Sequence, residues 1–241
     1  MSQILSQQRP PGDSNDIRWR DPDLHEVIEF LSHSNPVVKA NAAAYLQHLC
    51  FMDDSMKQKA RTLGSIPALI NLLNHEIQLL TGGAVQPQQQ PSSSQQPTRE
   101  VQRNALGALR NLSYGRHNEE NKRAIKEANG VTTLISLMKL CIQDQDIKES
   151  ITGVLWNLSS SEELKKNIID CAVKDVVNFI IIPGSGWDGR VGMATGVPGG
   201  GLAGFEHVYG TNVQGEIYWS TVFRNATGVL RNVSSAGEYA R

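Results

Sequence analysis

The sequence predicts an all-α protein, a right-handed superhelical solenoid of repeated helical units. One short phrase recurs as Ala108-Leu109-Arg110-Asn111-Leu112-Ser113, Val154-Leu155-Trp156-Asn157-Leu158-Ser159 and Val229-Leu230-Arg231-Asn232-Val233-Ser234. A weaker copy stands at Tyr45-Leu46-Gln47-His48-Leu49-Cys50, and a small residue (Ala44, Gly107, Gly153 or Gly228) precedes each copy. Asn111 and Asn157 lie 46 residues apart, inside the roughly 40–47-residue period of stacked helical repeats.

The other two gaps are longer, and composition explains why. His48 to Asn111 spans the Gln/Pro/Ser-rich stretch from Gln78 to Thr98, and Asn157 to Asn232 spans the Gly-rich stretch from Trp187 to Gly215. Removing both returns each gap to the repeat length. The predicted organisation is a disordered tail over 1–16 and a repeat domain over 17–241. A disordered Gln/Pro/Ser insertion sits at about 78–98 and a Gly-rich loop at about 184–215.

Taken in order, Leu24, Val27, Ile28 and Leu31 show the apolar spacing of a first helix. Asn35-Pro36 suits a cap followed by proline in the first turn, where the missing N–H costs nothing. The first phrase helix follows. A second helical pattern runs from Ile66 to Leu73, returns from Val131 to Met138, and recurs more loosely from Val173 to Ile180. Gly64-Ser65 and Asn129-Gly130 read as breaks before these helices. Ser160-x-x-Glu163 fits a capping box. The unit is then a short lead-in helix, a middle helix carrying the phrase, and a third helix. That is the three-helix armadillo form rather than the two-helix HEAT form. About four units are expected, the last incomplete, as in a piece of a longer protein. The recurring glycine costs about 1 kcal/mol against alanine inside a helix, so its return predicts close approach by a neighbouring helix.

Composition narrows the function. The formal net charge is −1, so no global field draws the chain to nucleic acid or a membrane. Cys50, Cys141 and Cys171 are scattered and odd in number, against a disulfide framework. The N-terminus lacks the charged start and apolar run of a signal peptide, and the most apolar window, Val176 to Ile182, is too short to span a bilayer. A cytoplasmic protein is expected. Nucleophile elbows, P-loops and metal-binding His or Cys spacings are absent, which argues against an enzyme and against any cofactor or metal. Asn111, Asn157, Asn225 and Asn232 match the glycosylation triplet, but three of them belong to the repeated phrase itself.

In a stacked solenoid the repeated asparagines form a column whose pitch of about 8–10 Å matches three residues of extended peptide at about 3.3 Å each. An amide side chain offers both donors and an acceptor, so the column can hold the backbone of an extended partner, or tie helices within each unit. Arg110, Trp156 and Arg231 stand beside it, with Lys57 and Lys59 after the first phrase. The arginines fit a solvated helix face as well as peptide contact, and Trp156 also fits a core.

Arg18-Trp19-Arg20-Asp21-Pro22-Asp23-Leu24, Asn41-Ala42-Ala43-Ala44-Tyr45-Leu46-Gln47-His48-Leu49-Cys50 and Thr152-Gly153-Val154-Leu155-Trp156-Asn157-Leu158-Ser159-Ser160 together resemble the delta-catenin subfamily of armadillo-repeat proteins, in the N-terminal part of the armadillo domain. Ile181 to Trp187 and Arg224 to Glu238 are similar to the same family. The resemblance implies a non-enzymatic adhesion scaffold. It would hold the acidic juxtamembrane segment of a classical cadherin cytoplasmic tail in the armadillo groove and stabilise cadherin at adherens junctions. It also implies influence on Rho-type GTPases and entry into the nucleus, with no direct nucleic-acid partner and membrane association through cadherin only. Carried over residue by residue, the groove positions are Trp19, Tyr45, His48, Lys57, Arg110, Asn111, Trp156, Asn157 and Asn232. Lys57 ranks first for contact with the acidic tail. The two insertions depart from the family pattern, the first falling between the first two units. They leave the GTPase-contacting lysines unplaced. The alternatives are a desmosomal adaptor like the plakophilins or a nuclear transport adaptor. The second would require tryptophans four residues before each asparagine, where Gly107, Gly153 and Gly228 stand instead.

Overall fold

The computed structural model describes residues 20–82, 96–115, 117–185, 209–211 and 217–237. The helices are α1 (Leu24–Phe30), α2 (Pro36–Leu49), α3 (Asp54–Thr62), α4 (Ser65–Gly82), α5 (Gln96–Ser113) and α6 (Glu119–Glu127). They continue as α7 (Gly130–Leu140), α8 (Gln145–Ser159), α9 (Glu162–Ile168), α10 (Lys174–Val176), α11 (Ile182–Ser185) and α12 (Thr221–Val233). Two π-helical turns, Ile169–Val173 and Val177–Ile181, join α9, α10 and α11. An antiparallel pair, β1 (Tyr209–Thr211) and β2 (Ile217–Trp219), sets Tyr209 opposite Trp219.

Side-chain chemistry fixes the helix starts. The Asp23 carboxylate accepts from the Glu26 amide at 2.9 Å and Glu26 accepts from the Asp23 amide at 2.9 Å, a complete capping box. Asn35 Oδ1 accepts from Val37 N at 2.8 Å ahead of Pro36 in the first turn, as the sequence predicts. Asp53 and Asp144 cap α3 and α8 in the same way. The turns directly before α4 and α7 use left-handed backbone, at Gly64 with φ +82° and at Asn129 with φ 59°.

Packing sorts the helices into columns. The phrase helices α2, α5, α8 and α12 stack in sequence, and the short helices α3, α6 and α9 form a second column. The third consists of α4, α7 and the helical run after α9. Between them lies one continuous apolar core that includes Leu46, Leu73, Leu109, Leu134, Leu158 and Val229. Each fully buried leucine or valine contributes about 1.5–3 kcal/mol. No unit closes a core alone, so every phrase helix buries its apolar stripe against the next.

The structure differs from three sequence expectations. Helix α4 runs to Gly82 and α5 begins at Gln96, so both edges of the stretch at about 78–98 are helical and its centre lies outside the described residues. Leu79 and Leu80 continue α4, and the Thr81 hydroxyl donates back to Ile77 O at 3.0 Å. In the Gly-rich stretch at about 184–215, Gly184 and Ser185 close α11 and Tyr209–Thr211 forms β1; residues 186–208 are outside the described set. The helical run also continues through Pro183, with the π turn just upstream shifting the backbone bonding that proline would otherwise interrupt. Finally, Ser160 is no capping-box residue: the α9 N-cap is Ser161, and Ser160 Oγ donates to Asn157 O at 2.7 Å. The tail over 1–16 and Trp19 lie outside the described residues.

Candidate functional site

The repeated phrase builds a ladder between neighbouring units. Asn111 Nδ2 donates to Gln47 O at 2.8 Å, Asn157 Nδ2 to Arg110 O and Ser113 Oγ at 3.1 Å each, and Asn232 Nδ2 to Ser159 Oγ at 3.0 Å. Each asparagine therefore ties its helix to the phrase helix before it. The glycine four residues earlier supplies the other half of the joint. A Cβ on Gly107 would overlap the Gln47 amide, one on Gly153 would lie 3.0 Å from Arg110 Nε, and one on Gly228 would lie 2.7 Å from Trp156 Nε1. Gln47, Arg110 and Trp156, each just before His48, Asn111 or Asn157 in its phrase, thus lie across the glycine of the next unit. Close approach is the reason for the glycine, as the sequence suggests, and what approaches is a side chain.

A second column escapes the sequence reading. Lys57, Lys122 and Lys165 sit on α3, α6 and α9 and are buried, at 2%, 3% and 4% exposure. Each ammonium pairs with an acid three residues earlier. Lys57 Nζ lies 2.8 Å from Asp54 Oδ1, Lys122 Nζ lies 2.6 Å from Glu119 Oε1, and Lys165 pairs with Glu162. Each also reaches the turn after the following phrase helix. Lys57 Nζ donates to Tyr114 O at 3.1 Å, Lys122 Nζ to Ser160 Oγ at 3.0 Å, and Lys165 Nζ to Ser235 Oγ at 2.7 Å. Tyr114, Ser160 and Ser235 all stand three residues after the phrase asparagine. The Tyr114 ring also covers Lys57, with Nζ 5.7 Å from its centroid, a geometry suited to cation–π attraction.

Two adjoining hollows open along the phrase helices. One of about 610 Å³ runs between α2, α5 and α8, with Phe51, Arg103, Arg110, Asn111, Tyr114 and Glu149 on its walls. The other, of about 560 Å³, has Tyr114, Lys122, Trp156, Asn157, Ser160 and Asn232. Phe51, Tyr114 and Trp156 are exposed at 66%, 57% and 39%. The first hollow carries both signs of charge, since Arg103 lies 3.6 Å from Asp146 and Arg99 bonds Asp144 at 2.6 Å on its flank. The second gathers a buried ammonium with its Glu119 partner, amides and an exposed indole.

The sequence pattern of the Armadillo/beta-catenin-like repeat matches residues 118–160. Human Catenin delta-2 is 42% identical over 229 residues, covering 95% of this chain and 16% of that protein. Human Splicing regulator ARVCF is 41% identical over 239 residues, covering 98% of this chain and 21% of that protein. The chain belongs to the delta-catenin branch of the armadillo-repeat proteins. It spans about a fifth or less of the length of these relatives. The Juxtamembrane domain-associated catenin of Caenorhabditis elegans is 34% identical over 228 residues, 95% of this chain and 15% of that protein. An engineered protein of known crystal structure shares the fold, with a TM-score of 0.58 at 20% identity over 91% of this chain and 66% of its own.

The matched repeat contains α6, α7 and α8, which corrects the phase of the unit. The phrase helix closes each armadillo unit instead of standing in its middle. In this delta-catenin-type chain the Gln/Pro/Ser stretch consequently splits a unit between α4 and α5, rather than separating two units.

The residues predicted for the site take different positions on this frame. Asn111, Asn157 and Asn232 are half-buried and already spend an amide hydrogen on the preceding unit, so the column is a tie between units and only partly free for a ligand. Arg110, Arg231 and His48 are exposed, and Tyr45 is half-buried against the core. Trp156 is no core residue; it lies on Gly228 with its ring half in solvent. Lys57 is enclosed by Asp54 and Tyr114 instead of standing free. Trp19 lies outside the described residues. Lys122, Lys165, Tyr114 and Ser160 are additions that sequence reading did not select. Their one signal was an acid three residues before each lysine, a spacing common on any helix.

Proposed function

We propose that the phrase-helix face binds an extended acidic peptide, the juxtamembrane segment of a classical cadherin tail, and that the chain acts as a non-catalytic scaffold at adherens junctions. The reading is supported chiefly by the run of Arg110, Asn111, Lys122, Asn157 and Asn232 along two continuous hollows. Cations with amide donors suit carboxylates and extended backbone, and the exposed Phe51, Tyr114 and Trp156 offer apolar cover to side chains between the acids. The nematode relative is a juxtamembrane domain-associated catenin by name, which points the same way. Contact through Lys57 requires the Tyr114 ring to move off it. Action on Rho-type GTPases belongs to the same proposal, and neither hollow offers a specific feature for it.

Calorimetry with an acidic cadherin juxtamembrane peptide tests the reading, with a basic import signal as the control. Binding of the acidic peptide, weakened about tenfold by Arg110→Glu and by added salt, is the expected result. Preference for the basic signal would overturn it and favour a transport adaptor.

A further inference from the structure

The lysine column ends on residues of unequal chemistry. At the first position the acceptor is the backbone carbonyl of Tyr114, whereas at the next two it is a serine hydroxyl. Ser160 is exposed, sits in the turn between α8 and α9, and lines the second hollow. Its Oγ lies 3.0 Å from Lys122 Nζ, an ammonium that is itself only 3% exposed. Glu162 and Glu163 follow at the second and third positions, with side chains 79% and 45% exposed. One unit later the arrangement returns, with exposed Ser235 Oγ 2.7 Å from buried Lys165 Nζ. A hydroxyl open to solvent on one side and held against a buried cation on the other is a place where added negative charge would be retained.

We infer that Ser160 is a phosphorylation site of an acid-directed serine/threonine protein kinase, and that its phosphate seals the second hollow against acidic ligands by engaging Lys122. Ser160 Oγ attacks the γ-phosphorus of kinase-bound ATP, forming a new O–P bond. The bond from that phosphorus to the oxygen bridging to the β-phosphorus breaks, ADP departs with the electron pair, and the hydroxyl proton passes to a kinase base.

The product carries about −1.5 to −2 charges at neutral pH and strong acceptor oxygens. Among the described residues its nearest cation is Lys122, which pairs with Glu119 at 2.6 Å on the wall of the same hollow. Charge-assisted bonds to that ammonium hold the phosphate in the space bounded by Trp156, Asn157 and Asn232. An acidic peptide then meets a filled and negative hollow where it would have met a cation. Ser235 and Lys165 would repeat the device one unit further on. The inference rests on the acidic-peptide reading for its consequence, while the phosphate–lysine contact stands independently of it.

The test treats the full chain and its Ser160→Ala variant with an acid-directed kinase and ATP. Phosphopeptides are mapped by mass spectrometry, and calorimetry is run with the acidic peptide before and after treatment. Labelling at Ser160 is expected, with at least a tenfold loss of affinity in the treated chain and a clearly smaller loss in Ser160→Ala, where Ser235 is still present. Phosphorus NMR of the labelled chain should place the second ionisation of the phosphoserine below that of the same chain unfolded in urea. Absence of labelling at Ser160, an unshifted ionisation, or unchanged peptide affinity after full labelling would each overturn the inference. If the untreated chain does not bind the acidic peptide, the proposed function falls together with the competition, and the ionisation then decides the Ser160–Lys122 contact by itself.

Discussion

The Trp156 indole lies on Gly228, so close that a Cβ there would stand 2.7 Å from Nε1 and 2.8 Å from Cε2. Alanine is worth about 1 kcal/mol over glycine in a helix interior, and at Gly228 the clash with a rigid ring outweighs it. Gly228→Ala is expected to lower stability by about 1–3 kcal/mol, the usual range for overpacking. At Gly107 the obstruction is the far end of the flexible Gln47 side chain, so Gly107→Ala should be neutral or slightly stabilising. Urea denaturation of the two variants checks the order.

Replacing Lys57 by glutamate removes the donor to Tyr114 O and sets a second carboxylate against Asp54 in a buried position. A loss of about 3 kcal/mol is expected from the unpaired groups. Thermal unfolding of Lys57→Glu beside Lys59→Glu, an exposed lysine on the same helix, should show the loss in the first variant only.

Acid should weaken the solenoid. The hydrogen bond from Lys57 holds Asp54 below its ordinary 3.8, and the bond from Arg123 holds Glu163 below its ordinary 4.5. Burial opposes the shift at Glu119 and Asp144, but bonds from Lys122 and Arg99 overcome it and both are also lowered. These carboxyls bind protons less readily folded than unfolded, so their contribution is present above the ordinary values and is lost as pH falls through the folded ones. The melting temperature should stay level from about pH 7 to 5 and drop below about 4.5. A scan in high salt should flatten that drop for the exposed Arg123–Glu163 pair.

Burial pushes the Cys50 thiol up to about 12 and that of Cys141 to about 11. With so little thiolate at pH 8 and no solvent at Cys50, alkylating reagents should modify Cys50 only as fast as the surrounding helices open. Pulse labelling in rising urea should show Cys50 reacting in step with the loss of helicity.

The ladder was legible in the sequence because its parts recur: a glycine, a side chain and an asparagine stand at fixed offsets in the copies, although the bonds they make span 44 to 73 residues. The lysine column was not, since its lysines lie outside the repeated phrase and the residues they reach, Tyr114, Ser160 and Ser235, differ from copy to copy. The first of its acceptors is also a backbone carbonyl, which no residue type announces. The cover over Lys57, which ranked first for tail contact, was hidden too, because Tyr114 stands 57 residues away at the end of the same unit. The ends of α4 and α5 were obscured by composition. Gln78 and Thr98 look like their low-complexity neighbours, yet the helices around them are anchored by core residues Leu73 and Val101.

The stretch between Gly82 and Gln96 joins helices already fastened by other means. Asn104 Nδ2 reaches Ala40 O at 3.0 Å, Asn111 reaches Gln47 O, Lys57 reaches Tyr114 O, and Thr133 Oγ1 bonds Asn74 Oδ1 at 3.0 Å. All four bonds cross from one side of that stretch to the other, alongside the seam of α2 on α5. Covalent continuity there is thus dispensable to the architecture. A cut in that stretch would turn one solenoid into two complementary fragments that recognise each other, and co-expressed as separate chains they would form a heterodimer with the same face.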